Sequence, residues 1–267
     1  MTEFAGGVTP IAWWQLLLST VFVVFVGVLS LRLSLGVEKD LAIATARTFL
    51  QLIVLGLVLR WVLDVDSVWV VLGIIVIMMV AAAHTIAKST PEAPAGLLRN
   101  SMFTMLLTGF TVTFAVTGLI IQVEPWYEPR YIIPIAGMVL GNSMNGIALA
   151  LERLFADLDA RTHEILALTA LGATPWEIAA DSVRKAVRAG LIPTINAMAT
   201  VGVVFIPGMM TGQVLAGADP LKAAYYQIVV MLMISAATAL GSVLAVTLSF
   251  RARFTQDGVY IEKGYRR

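Results

Sequence analysis

Long apolar runs divided by short polar segments set the pattern of this chain. Seven runs of about 20 residues or more predict membrane-crossing helices at about 11–33, 41–63, 67–88, 100–121, 131–150, 191–215 and 223–250. Each is long enough for a hydrocarbon core of ~30 Å at ~1.5 Å per residue. Between the fifth and sixth runs lies a polar interval, residues 151–190. Here Leu151, Leu154, Phe155, Leu158, Ile165 and Leu168 recur at helical spacing with charges between them. The expected fold is an all-α polytopic membrane protein, one transmembrane domain over residues 1–267, with a helical segment between spans five and six. The alternation of a membrane β-barrel is not seen in the sequence.

Local signals subdivide that segment. Gly172 suits a helix stop, Thr174 an N-cap and Pro175 a first helical position. Glu177 follows Thr174 by three residues, the spacing of a capping box. A new helix is therefore expected from Pro175, with Trp176, Ala179, Ala180, Val183 and Val187 on its apolar face. Its charged face would hold Glu177, Asp181, Arg184, Lys185 and Arg188. Such a helix fits either the membrane surface or a groove in a soluble partner. The sixth run is interrupted by Pro207 and Gly208, where a helix should kink or unwind.

Composition agrees with the pattern. The chain has 267 residues, 59% hydrophobic and 13% charged, against about 25% charged in soluble domains. Residues 151–193 hold 11 of its 35 charged side chains. With the N-terminus outside, fourteen basic residues fall on the inner side and three on the outer. The positive-inside rule then places the 151–190 segment and the C-terminus in the cytoplasm. Glu3, with no basic residue before the first run, argues that this run remains as an uncleaved span. A net charge of +1 gives no support for a nucleic-acid partner, and the lack of cysteine excludes disulfides and thiolate metal sites. There is no GxxxxGK[ST] phosphate loop, so the chain is not itself an ATPase.

Few polar residues lie within the spans. Asn142 and Asn145 share a face of span five, either lining a path or holding neighbouring helices together. Gly137 and Gly141 form a GxxxG spacing suited to close helix approach. Ser235, Ala237, Thr238, Ala239, Gly241 and Ser242 give span seven a small-residue face. Thr194 and Asn196 begin span six, while Thr211 and Gln213 follow its break and Gln227 enters span seven. Arg47 and Gln51 sit in span two, where the arginine can snorkel to the surface. Methionines 138, 144, 198, 209, 210, 231 and 233 populate spans five to seven. They read as packing residues, although thioether is also a soft ligand. His84 and His163 have no partner at metal-ligand spacing, and no specific metal site is assigned.

The stretch Leu171 to Trp176 (LGATPW), a following helix and Leu191 to Pro193 resemble the loop by which bacterial ABC-transporter permeases contact their ATPase. Leu166 to Leu168 stand where that loop carries Glu-Ala-Ala, and the Gly172 to Pro193 spacing is longer. More of the chain resembles the FetB family: Ile133 to Asn145 (IPIAGMVLGNSMN), Leu191 to Asn196 (LIPTIN) and Pro207 to Gln213 (PGMMTGQ). That family comprises bacterial permeases linked to iron export and plant relatives tied to aluminium tolerance. The resemblance implies a permease of the bacterial inner membrane that exports metal ions such as iron. It implies a homodimer, surrounded by lipid, working with a separate cytoplasmic ATPase that binds ATP and Mg. This chain itself would bind no cofactor and catalyse no reaction. The coupling residues would be Leu171, Gly172, Ala173, Thr174, Pro175, Trp176, Glu177 and Asp181. The translocation path would involve Asn142, Asn145, Asn196, Pro207, Gly208, Thr211 and Gln213.

Other classes fit less well. Family members associated with nucleotide sugar keep that substrate open. A stand-alone carrier or channel would need no partner, but no carboxylate lies deep in a span to relay protons. An intramembrane serine protease built on Ser143 lacks a histidine able to serve it.

Overall fold

The computed structural model describes residues 11–65, 67–90, 94, 96–255 and 257–261. The protein is an all-α polytopic membrane protein. Its helices are α1 (Trp13–Arg32), α2 (Glu38–Val65), α3 (Val68–Ser89), α4 (Leu97–Ala115), α5 (Pro129–Ala160), α6 (Thr162–Ala170), α7 (Pro175–Thr200), α8 (Gly208–Leu215) and α9 (Pro220–Ser249). A π-helical segment, Val116–Ile121, continues α4, and a 3₁₀ turn, Phe250–Arg253, closes α9. Among the described residues six helices are long and apolar enough to cross a membrane: α1 to α5 and α9.

Two compact units are present. The first takes in α1 and α2, joined by a turn in which Ser34 and Gly36 adopt positive φ. The Ser30 hydroxyl fixes that turn by accepting the Val37 N–H at 3.3 Å and donating to Glu38 at 3.0 Å. The second unit runs from α3 to the C-terminal segment, apart from residues 215–217. It is organised around α5, which packs on α3, α4, α7 and α9. Part of its core is Val112 and Val116, Ile135 and Val139, and Val230, Met233, Ile234 and Ala237.

The small-residue positions determine how tightly these helices cross. A methyl group placed on Gly190 of α7 would lie 2.5 Å from the Gly146 carbonyl of α5, 2.9 Å from Ala150 Cβ and 3.1 Å from Ser242 Oγ of α9. One placed on Gly146 would collide with the Thr238 methyl and lie 2.8 Å from the Gly190 carbonyl. Backbone therefore meets backbone where α5, α7 and α9 converge. The expected GxxxG pair is used differently. Gly137 faces the Met78 side chain, and Gly141 has open space beside it. Of the small face on α9, Ala237, Thr238, Gly241 and Ser242 are buried.

Two boundaries differ from expectation. At 32 residues, α5 is ~48 Å long at the α-helical rise, well beyond a ~30 Å core. It thus carries span five onward through Leu151, Leu154, Phe155 and Leu158, all buried. The run expected as one span at 191–215 is divided. Its first part belongs to α7, which continues unbroken from Pro175 past Pro193. The helix then unwinds from Val201, not at Pro207. Gly202 takes φ +79 and its N–H reaches the Phe205 carbonyl at 2.9 Å. Chain direction resumes at Gly208 with α8.

Candidate functional site

The break between α7 and α8 opens a cavity of about 360 Å³ within the second unit. Met138, Asn142, Asn145 and Gly146 face it from α5, and Pro193, Thr194 and Ala197 from α7. Residues 205–209 close one side, while Gln227, Val230, Met231 and Ile234 line it from α9. The spacing explains the convergence: 138, 142 and 145 share one helical face, as do 227, 231 and 234. Asn142 donates through Nδ2 to its own helix, at the Met138 carbonyl, 2.8 Å away. This amide therefore does not tie α5 to a neighbour. Gln227 is buried, and its Oε1 accepts no hydrogen bond among the described residues. Among the described residues, no acidic, basic or histidine side chain lines the cavity.

The same two helices, α5 and α7, extend to a charged platform. Asp157 lies at its centre. Its Oδ2 accepts the buried Ser182 hydroxyl of α7 at 2.7 Å. Arg161 donates through Nη1 to Ser182 at 2.9 Å and through Nε and Nη2 to both Glu164 oxygens, at 2.9 and 2.7 Å. Lys185 lies 3.9 Å from Asp157 and 2.7 Å from Asp181. The Arg161 hydrogen bonds hold Glu164 below the usual carboxylate range, and Glu164 in turn raises Arg161. Lys185 likewise lowers Asp181. These contacts join α5, α6 and α7 into one block.

At the tip of that block is the turn 171–174. Helix α6 ends in a Schellman motif: Ala173 N–H reaches the Leu168 carbonyl and Gly172 N–H the Thr169 carbonyl, both at 3.0 Å. Gly172, at φ +85, occupies the left-handed position this motif requires. Helix α7 then starts with the expected capping box. Thr174 N–H donates to Glu177 Oε2 at 2.8 Å, and Glu177 N–H donates back to the Thr174 hydroxyl at 3.3 Å. The Thr174 N–H, followed by its hydroxyl, lowers the Glu177 carboxyl. Leu171 is 84% exposed at the tip and Trp176 is half-exposed beside it. The buried side of α7 is Ile178, Ala179, Ser182, Val183 and Ala186. That face lies against α5, so this helix does not present it to a membrane surface.

The C-terminal segment braces the platform from behind. Phe254 and Tyr260 pair in a short antiparallel bridge, and the Ile261 N–H reaches the Arg253 carbonyl at 2.8 Å. Buried Arg253 donates to Asp159 Oδ2 at 2.9 Å and stacks over the Phe155 ring at 5.6 Å. Tyr260 donates its hydroxyl to Asp159 Oδ1 at 3.1 Å. Burial, followed by the Asp159 charge, pushes the Tyr260 hydroxyl up to about 12. Phe250 meets Trp176 edge-on at 5.6 Å.

Residues 13–254 match the model of the family described as UPF0014, an uncharacterised protein family. The chain belongs to the UPF0014 family. It is 40% identical over 224 residues to a UPF0014 membrane protein of Synechocystis sp., covering 83% of this chain and 86% of the relative. It is 34% identical over 237 residues to the Escherichia coli K12 protein named "Probable iron export permease protein FetB", covering 89% and 90%. It is 32% identical over 237 residues to the Arabidopsis thaliana protein named "ALUMINUM SENSITIVE 3", covering 88% and 85%. No solved structure matches it.

In this UPF0014 chain the cavity brings together Asn142, Asn145, Pro207 and Gly208 of the residues expected along a path. Asn196 and Thr211 are exposed and do not line it, and Thr211 instead donates to the Pro207 carbonyl at 3.1 Å. Gln213 also lies outside the lining, and its buried Oε1 accepts no hydrogen bond among the described residues. Thr194, Gln227, Met138, Met209 and Met231 also line the cavity, although the sequence does not mark them as part of a path. Their shared feature is helical register with the asparagines and the break, a signal visible only once both helix faces are aligned. Of the residues expected to couple to a partner, Leu171 and Trp176 present apolar surface. Gly172, Ala173, Thr174, Pro175 and Glu177 build the turn, and Asp181 pairs with Arg184 and Lys185 on its own helix.

Proposed function

We propose that this chain is the membrane-spanning permease subunit of an ABC-type exporter of metal ions, driven by a separate cytoplasmic ATPase that binds ATP and Mg. The observation that carries the reading is the continuity of α5 and α7. Both helices line the cavity at one end and build the charged platform at the other. A partner that moved the Leu171–Trp176 tip would therefore act directly on the cavity walls. The name of the Escherichia coli relative supports metal export as the cargo class.

In this reading the platform and C-terminus face the cytoplasm of a bacterial inner membrane, as the basic-residue bias favours. The working unit is a homodimer. Asn142 and Asn145 stay exposed where they line the cavity on α5, and polar side chains left open to hydrocarbon are costly. A second copy would cover them and close the cavity. A stand-alone carrier has no observation in its favour, since a rigid platform with an exposed apolar tip would then have no use.

The decisive experiment is co-purification with a phosphate-loop ATPase of the same organism, sought first among the genes neighbouring this one. Leu171→Glu changes an exposed side chain and should abolish association while the permease still inserts and elutes normally. Full retention of the ATPase by this variant and by a Leu171→Glu/Trp176→Glu double variant would sink the coupling assignment.

A further inference from the structure

Uncharged residues line the cavity, and methionine is prominent among them. Three methionines line it from three elements: Met138 on α5, Met209 at the start of α8 and Met231 on α9. One turn before Met231 on the same face is Gln227, 6% exposed, whose Oε1 accepts no hydrogen bond among the described residues. A buried acceptor left without a donor is costly, and a cation would satisfy it as well as an N–H would. Asn142 and Asn145 add amide oxygens at the rim. Among the described residues, no lining group bears a charge. Elsewhere too, among the described residues, no cluster of three or more His, Asp or Glu is placed to hold a metal.

We propose that this cavity is a binding site for a soft, singly charged metal cation of the Cu(I) and Ag(I) class, held by the thioethers of Met138, Met209 and Met231 with the amide oxygen of Gln227. Thioether sulfur selects soft ions. A multiply charged ion stripped of water here would have no counter-charge, and burying unpaired charge is prohibitive. A singly charged soft ion loses less hydration and gains polarisable sulfur. A phosphate-bearing ligand fits worse still, because no Arg or Lys lines the cavity to receive it. The inference rests on the metal-export reading but departs from the iron in the Escherichia coli relative's name, taking a soft ion as this chain's cargo.

The test is direct binding to the intact permease, purified without its ATPase and placed in lipid nanodiscs. Ag(I) is titrated calorimetrically, with Fe(II), Zn(II) and UDP-glucose as comparators. One Ag(I) per chain is expected, bound in preference to all three. Each of Met138→Leu, Met209→Leu and Met231→Leu keeps side-chain volume. Each should weaken Ag(I) by at least about tenfold, since even outer-shell partners of metal sites are worth 10–100-fold. Gln227→Leu should do likewise, while Met102→Leu, outside the cavity, should leave affinity unchanged. Because the chain holds twelve methionines, Ag(I) affinity unaltered in the three cavity variants would overturn the site. Preferential Fe(II) or Zn(II) binding that Gln227→Leu removes would overturn the soft assignment and leave metal export standing. Binding of UDP-glucose alone would overturn both. Normal gel-filtration elution of each single variant separates lost ligand from lost fold.

Discussion

Two individual side chains have effects that can be read directly. Burial, with the Asp159 charge second, pushes the Tyr260 hydroxyl up from an ordinary 10.0 to about 12. A raised value means that its contribution to stability is complete below pH 10 and is lost as pH rises through about 12. Tyrosinate absorbance should therefore show one late-titrating component that Tyr260→Phe removes, with the C-terminal bridge becoming protease-sensitive over that window. A normal titration of all tyrosines would contradict the buried Asp159 contact. Gly190 is the opposite kind of residue, important for what it lacks. Gly190→Ala sets a methyl against a carbonyl and Ala150 on helices that cannot yield locally. Overpacking of this kind costs about 1–3 kcal/mol, so the detergent melting temperature should fall measurably, and Gly141→Ala, beside open space, serves as the control.

At the level of elements, the turn before α7 was legible in the sequence because its rules are local. Gly172, Thr174, Pro175 and Glu177 each act within four residues, and each does in the structure what its chemistry suggests. Thr174→Ala should speed hydrogen exchange at the first amides of α7, and the Glu177 half of the box should fail only in acid. Its lowered carboxyl keeps the contact at neutral pH and loses it as pH falls below the usual 4.5 and through the lowered value. Exchange rates unchanged down to strongly acidic pH would count against the box. The continuity of α7 was not legible. Pro193 resembles a helix start, yet α7 runs through it, with Gly190 close against α5 and α9 one turn earlier. Nor could the C-terminal brace be foreseen, because Asp159 meets Arg253 across 94 residues. The cavity lay between these cases: its asparagines and break stood out, whereas its methionines and Gln227 blended with ordinary packing.

For the whole molecule, the lack of native cysteine makes the proposed dimer easy to probe. Asn142→Cys or Asn145→Cys should cross-link two copies under mild oxidation, whereas Ile77→Cys, also exposed, should not. Absence of cross-links at both asparagines would argue that α5 faces something other than a second copy. The close crossing at Gly146 and Gly190 bears on motion as well as assembly. A single helix passes that point, with about 21 Å of rise between Trp176 and Gly190 and about 15 Å between Gly190 and Thr200. A rod pinned at an intermediate point is a lever with a fixed gear ratio. Once the Ser182 and Lys185 contacts to Asp157 give way, pushing the Trp176 end sideways by about 3 Å would swing the Thr200 end back by about 2 Å, carrying with it the unwound segment whose residues 205–207 line the cavity.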